Sequence, residues 1–131
     1  MILLDTHVVL WLVIAPEKLS RTAASAIRRA RASDGIAVAD ITLLELATLF
    51  ARGAVRYSGT LERAIREIVE TSAVNIRPIT PEIATLAIQF PADYPRDPSD
   101  RLIGATARAE GIPLVTRDER IRCSPLLNAI W

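Results

Sequence analysis

Disulfides, membrane spans and long basic runs are missing from this sequence, and each absence removes a class of protein. Cys123 is the single cysteine, so no internal disulfide can form; the chain reads as cytoplasmic, with Cys123 an incidental thiol. The longest apolar stretch, Val8 to Ala15, falls far short of the roughly 20 residues a helix needs to cross a bilayer. The opening Met1-Ile2-Leu3-Leu4-Asp5 has no basic segment and meets an acid after four apolar residues, unlike a secretory signal. Lysine occurs once, at Lys18, among sixteen cations, and the formal net charge is only +1, so no overall basic signature marks a nucleic-acid binder. Arginine suits bidentate phosphate recognition, but a GC-rich coding bias explains the same preference.

What is present suffices for one domain. A chain of 131 residues, half of them hydrophobic, can bury a full core and is not globally disordered. Residues 1–131 contain no internal repeat, linker or low-complexity segment and read as a single domain.

Apolar runs alternate with helical periodicity. Ile2 to Leu4 reads as a buried strand ending at Asp5, and Thr6 as an N-cap for a helix through Val8 to Ile14, stopped near Pro16. Ser20 caps a helix over 21–32, Asp34-Gly35 signals a turn, and Ile36 to Ala39 makes a second strand. Thr42 opens a helix containing Leu46, Leu49 and Phe50 and closed by Gly53. Leu61 to Val69 is the clearest amphipathic helix, with Leu61, Ala64, Ile65, Ile68 and Val69 on one face. A strand near Asn75 to Ile79 precedes Thr80-Pro81-Glu82, a strong helix start, and that helix runs to Phe90. A proline-rich loop over 91–98 leads to a helix from Ser99 to Glu110, ended by Gly111. Pro113 to Thr116 is a strand, and the tail Leu126 to Trp131 adds an edge strand. Strands separated by helices imply an α/β fold with a mostly parallel sheet and right-handed crossovers.

Four acids sit where such elements give way to turns: Asp5, Glu45, Asp100 and Asp118. Each has a local explanation. Asp5 can cap the helix that follows it, and Thr42-x-x-Glu45 matches a capping box. Asp97 or Ser99 is a natural cap for the helix that carries Asp100, and Asp118 can cap the turn Glu119–Arg122. Yet an open α/β sheet gathers such ends at one edge. Two carboxylates about 4 Å apart repel by roughly 4 kcal/mol at an effective dielectric near 20. A domain is stable by only about 5–15 kcal/mol. A cluster of four must hold protons or bind cations, and hard oxygen donors favour Mg²⁺ or Mn²⁺. His7 has no nucleophile to activate, and Trp11, inside an apolar segment, reads as core rather than as a base-stacking platform. That segment is apolar on more than one face, which suggests cover by another chain. Arg96, Arg101 and Arg117 flank the acids and are candidates for gripping phosphate.

Several strings together resemble the PIN-domain ribonucleases, and among these the VapC-type toxins of toxin–antitoxin pairs. They are Leu3-Leu4-Asp5-Thr6-His7 with Trp11, Leu44-Glu45-Leu46-Ala47, Arg96-Asp97-Pro98-Ser99-Asp100-Arg101-Leu102-Ile103 and Pro113-Leu114-Val115-Thr116-Arg117-Asp118. The resemblance runs along essentially the whole chain. It implies a three-layer α/β/α fold with a mostly parallel central sheet of four to five strands. It also implies an acidic quartet at Asp5, Glu45, Asp100 and Asp118, with Asp97 in an outer shell and the hydroxyls of Thr6 and Thr116 suited to holding a carboxylate or a metal-bound water. Ser99 departs from the aromatic residue that many relatives carry there.

The activity implied is endonucleolytic hydrolysis of RNA with one or two Mg²⁺ or Mn²⁺ ions held by Asp5, Asp100, Asp118 and Glu45. The partners implied are an RNA substrate, a cognate antitoxin and a second copy in a homodimer, with no membrane. Two alternatives differ in class. A phosphoryl-transfer enzyme or receiver using Asp5 as acceptor would want a second acid where His7 stands, or a late lysine, and has neither. A non-catalytic PIN-like module binding RNA or a partner would need no divalent affinity at these side chains.

Overall fold

The computed structural model describes all 131 residues. Five strands, β1 (Ile2–Leu4), β2 (Ile36–Ala39), β3 (Asn75–Arg77), β4 (Leu114–Val115) and β5 (Ala129–Ile130), form one sheet in the order β3-β2-β1-β4-β5. Every neighbouring pair is parallel. Seven helices connect them: α1 (Thr6–Ile14), α2 (Arg21–Arg31), α3 (Ile41–Ala51), α4 (Leu61–Ser72), α5 (Pro81–Ile88), α6 (Pro98–Glu110) and α7 (Glu119–Arg122).

Side-chain alternation along the strands builds the layers. Ile2, Leu4, Ile36, Val38 and Val115 point into a core with α1, α2, α3 and α4. Leu3, Ala37, Ala39 and Leu114 point the other way, into a core with residues of α5, α6 and α7. Period-two alternation in strands buried on both faces gives the α/β/α sandwich. In the second core Gly104 lets α6 approach the stacked rings of Phe90 and Tyr94, whose centroids are 3.9 Å apart. A Cβ on Gly104 would lie only 3.0 Å from Phe90 Cζ and would overlap the Tyr94 hydroxyl.

The chain starts in the middle of the sheet, builds outwards through β2 to β3, then crosses to the other side for β4 and β5. The strand order therefore reverses between β1 and β4, where crossovers leave in opposite directions and open a crevice at the carboxyl ends. Register decides what faces that crevice. Leu4 pairs with Val115, so Asp5 and Thr116, one residue further along each strand, end up side by side.

Several boundaries differ from the sequence reading for local reasons. Asp5, not Thr6, caps α1, its Oδ1 accepting from the Thr6 amide at 2.8 Å. Helix α3 starts at Ile41, ahead of Thr42, so the Thr42–Glu45 capping box does not form. Proline at its first position lets α6 begin at Pro98, with Asp97 accepting from the Ser99 amide. Helix α5 stops at Ile88, which frees Phe90 to stack on Tyr94. Helix α4 runs on to Ser72 and closes with Ala73 in the left-handed region, at φ 56°. The apolar surface of α1 is covered mostly by this chain's own helices: Val8, Val9 and Leu10 are buried, and α3 and α4 pack against it.

Candidate active site

The crevice at the β1–β4 switch is a cleft of about 610 Å³ lined by Asp5, Thr6, His7, Val8, Trp11, Glu45, Asp97, Asp100, Arg117, Asp118 and Glu119. All four quartet acids are there, with Asp97 and a sixth acid, Glu119, that the sequence reading passed over. They come from separate parts of the chain. Asp5 ends β1, Glu45 lies one turn into α3, Asp97 and Asp100 open α6, and Asp118 follows β4.

The local explanations for these acids are true without exhausting them. Asp5 Oδ1 accepts from the Thr6 amide of α1, while Oδ2 accepts a hydrogen bond from Thr116 Oγ1 at 2.7 Å. Asp118 accepts from the Arg120 and Ile121 amides through Oδ1 alone, and its own amide donates to Thr116 Oγ1 at 3.1 Å. Thr116, fully buried, thus links Asp5 to Asp118 across the switch point. Glu45, released from any capping duty, accepts from buried Thr6 Oγ1 at 2.5 Å, and that hydroxyl lies 3.1 Å from Thr42 Oγ1. Asp100 has no side-chain partner of this kind; its main-chain carbonyl accepts from the Tyr94 hydroxyl at 3.0 Å.

Burial, and crowding after it, show in proton affinity. Asp100 is pushed from the ordinary 3.8 up to about 7, by burial first and then by the charges of Asp5, Asp97, Glu45 and Asp118. Burial likewise raises Asp5, against the opposing hydrogen bonds from Thr116 and Thr6. Glu45 is raised by burial and by the charges of Asp5 and Asp97, with the Thr6 bond opposing. Burial and the facing carboxylates also raise Tyr94, which stays a neutral donor to Asp100. Burial first, and mutual repulsion after it, disfavour the charged carboxylates, and a bound cation would offset both as a proton does.

The carboxylate donors fit a hard divalent ion. They are oxygens, and the one imidazole in the lining, His7, stands beside Asp5. No three of the acids converge into a ready-made chelate, so the cleft is an open bowl of negative charge. That form suits Mg²⁺, which keeps several of its waters and is bound through one or two carboxylates.

The predicted cations are not brought together. Arg117 lines the cleft. Arg101 turns away: its guanidinium donates to the carbonyls of Pro95, Ala87, Phe90 and Pro91 and ties α6 to the end of α5. Arg96 lies with Arg101 along a separate apolar groove between α5 and α6. Neither faces the acids, because the first turn of α6 points Asp100 and Arg101 in different directions. Trp11, expected in the core, is half-buried on the cleft wall. The signal that places it is helical: Trp11 is four residues from His7, on the same face of α1.

Comparison with known proteins bears on the family and the fold. The family model described as "PIN domain" matches residues 2–123. The chain is 39% identical over 121 residues to a protein named "Ribonuclease VapC22" from Mycobacterium tuberculosis, covering 92% of this chain and 89% of that one. Among solved structures, DNA-bound VapBC from Salmonella typhimurium superimposes with a TM-score of 0.70 at 18% identity, over 98% of this chain and 97% of that one. FitAcB from Neisseria gonorrhoeae gives a TM-score of 0.68 at 22% identity, over 98% and 96%. At those identities the two structures bear on the fold alone.

Proposed function

Because the chain belongs to the PIN-domain family, we propose that it is a ribonuclease, the toxin of a toxin–antitoxin pair, and that its acidic cleft hydrolyses RNA phosphodiester bonds with a divalent ion. The supporting observation is the cleft itself. Asp5, Glu45, Asp100 and Asp118 line one cleft at the switch point of the sheet, and three of them bind protons more tightly than an ordinary carboxylate.

Asp5, Asp100 and Asp118 would hold the Mg²⁺ or Mn²⁺, one ion or two, with Glu45 completing the set. A divalent ion held there would supply Lewis acidity to the scissile phosphate and lower the pKa of a bound water. The residues of the chain do the positioning. Thr116 fixes the Asp5 carboxylate and Thr6 fixes that of Glu45, so neither rotates away as charge changes in the cleft. Glu45, with one oxygen committed to Thr6, can use the other to accept a proton from the attacking water. Asp97 adds field from the outer shell and Arg117 offers the rim a guanidinium for a neighbouring phosphate. By analogy with the family, attack would be in line and would leave a 5′-phosphate.

An antitoxin protein would cover this cleft until it is degraded. A homodimer fits the groove between α5 and α6, where Ile88 is 83% exposed. RNA as substrate puts the protein in the cytoplasm. The test is single-stranded RNA with Mn²⁺ and the purified protein. Wild type cleaves, chelator stops it, and Asp5→Asn and Asp100→Asn lose at least about 100-fold in rate, the scale of removing one transition-state electrostatic partner. Cleavage by either variant at the wild-type rate would overturn the assignment.

A further inference from the structure

The cleft does not end at its carboxylates. Trp11 and Arg117 line it together with the acids, and the same two residues line an adjoining cleft with Lys18, Leu19, Ser20 and Trp131. Three rings run across this junction. The His7 ring lies 5.7 Å from Trp11 at 54°, and Trp131 lies 6.1 Å from Trp11 at 56°. Lys18 Nζ and the Arg117 guanidinium carbon stand 5.8 and 5.9 Å from the centre of the Trp11 ring, the outer limit of a cation–π contact.

The arrangement differs from the packing aromatics of this same chain. Phe90 and Tyr94 are buried and stacked at 3.9 Å and 13°, each covering a face of the other. Around Trp11 the neighbouring rings are tilted and distant, the indole is half-buried, and Lys18 and Arg117 are exposed. No parallel ring covers a face of the indole, and both cations beside it are free of carboxylate partners at salt-bridge distance. An aromatic face flanked by two cations matches the composition of single-stranded nucleic acid, whose bases stack while its phosphates attract positive charge. Six acids next door would repel that backbone, so a local anchor has a physical purpose.

We propose that Trp11, flanked by Lys18 and Arg117 and backed by Trp131, is a stacking subsite for one unpaired base of the RNA, next to the phosphate presented to the acids. The assignment rests on the ribonuclease reading and adds where the substrate is gripped. It requires the base to leave any duplex, so single-stranded segments are favoured over paired ones.

Both tryptophans of the chain lie in this cleft, so intrinsic fluorescence reports on it directly. Titrating the intact protein in chelator with a short oligouridylate should quench that fluorescence, and an abasic oligomer of equal length should not. With Mn²⁺, Trp11→Ala should raise KM for the oligouridylate about 10- to 100-fold, the loss expected for one base–aromatic stack. Trp11→Phe should recover most of it. The abasic oligomer should bind wild type and Trp11→Ala equally weakly. An unchanged KM in Trp11→Ala, or the same loss for the abasic oligomer, overturns the subsite. So does a wild type that cuts RNA but is not quenched by it, a measurement that needs no variant to fold. If Trp11→Ala keeps its KM but escapes inhibition by the cognate antitoxin, the cleft belongs to a protein partner and the proposal fails. A wild type that neither binds nor cuts RNA defeats the ribonuclease reading itself, a result distinct from all of these.

Discussion

Replacing Asp100 with asparagine should make the metal-free protein more stable while removing its activity. The carboxyl of Asp100 titrates at about 7 in the folded protein against an ordinary 3.8, chiefly because of burial and then of neighbouring negative charge. Since the folded value is raised, the native state holds this proton more tightly than the unfolded chain does. Stability from this group is complete below about pH 4 and is lost as pH rises through about 7. The full difference corresponds to roughly 4 kcal/mol. Asp100 remains partly open to solvent, which screens the repulsion, so about 2 kcal/mol is the working figure. Asparagine keeps the shape and removes the charge. In chelator near pH 8, Asp100→Asn should therefore melt about 5–10 °C above wild type, and the gap should close towards pH 5. Mn²⁺ at about 100 times its dissociation constant should add about 2.7 kcal/mol to wild type and little to the variant. Thermal melts over a grid of pH and Mn²⁺ read all of this at once. A variant less stable than wild type in chelator at pH 8, or stabilised by Mn²⁺ to the same extent, would refute the reasoning.

Other expectations follow from particular contacts. Thr116→Val removes the hydroxyl between Asp5 Oδ2 and the Asp118 amide, so Mn²⁺ affinity and cleavage should fall about 10- to 100-fold, as when a hydrogen bond supporting a metal ligand is lost; unchanged Mn²⁺ titration would count against the clamp. Arg101→Ala removes the donor to carbonyls of the last turn of α5 and the loop after it and should cost about 2–3 kcal/mol in a denaturant melt without changing KM for RNA. A raised KM at unchanged stability would return Arg101 to phosphate binding. Ala73→Gly relieves a left-handed alanine at the end of α4 and should stabilise by about 1 kcal/mol; a melt showing destabilisation would mean the Ala73 methyl matters more than its φ.

Much of this protein is legible in its sequence, because short-range physics decides it. Apolar triplets flanked by turn signals and helical apolar spacing produce an alternation that only a parallel α/β sheet accommodates, and an acid just past a strand must then lie at the carboxyl edge. That is why Asp5 and Asp118 could be placed with no coordinates. Tertiary structure alone decided how each group is used. Thr42-x-x-Glu45 satisfies a local capping pattern, yet Thr6, 39 residues away, takes Glu45, because α3 begins earlier and α1 crosses it. Arg101 neighbours Asp100 in sequence but points away, since successive helical residues turn about 100°. Trp11 left the core for the cleft wall because α1 meets both the sheet edge and the chain's last residues there. Spacing reports which neighbours a side chain could serve within one turn; competition between those and partners from distant segments is settled by strand register and helix crossing, which no local window contains.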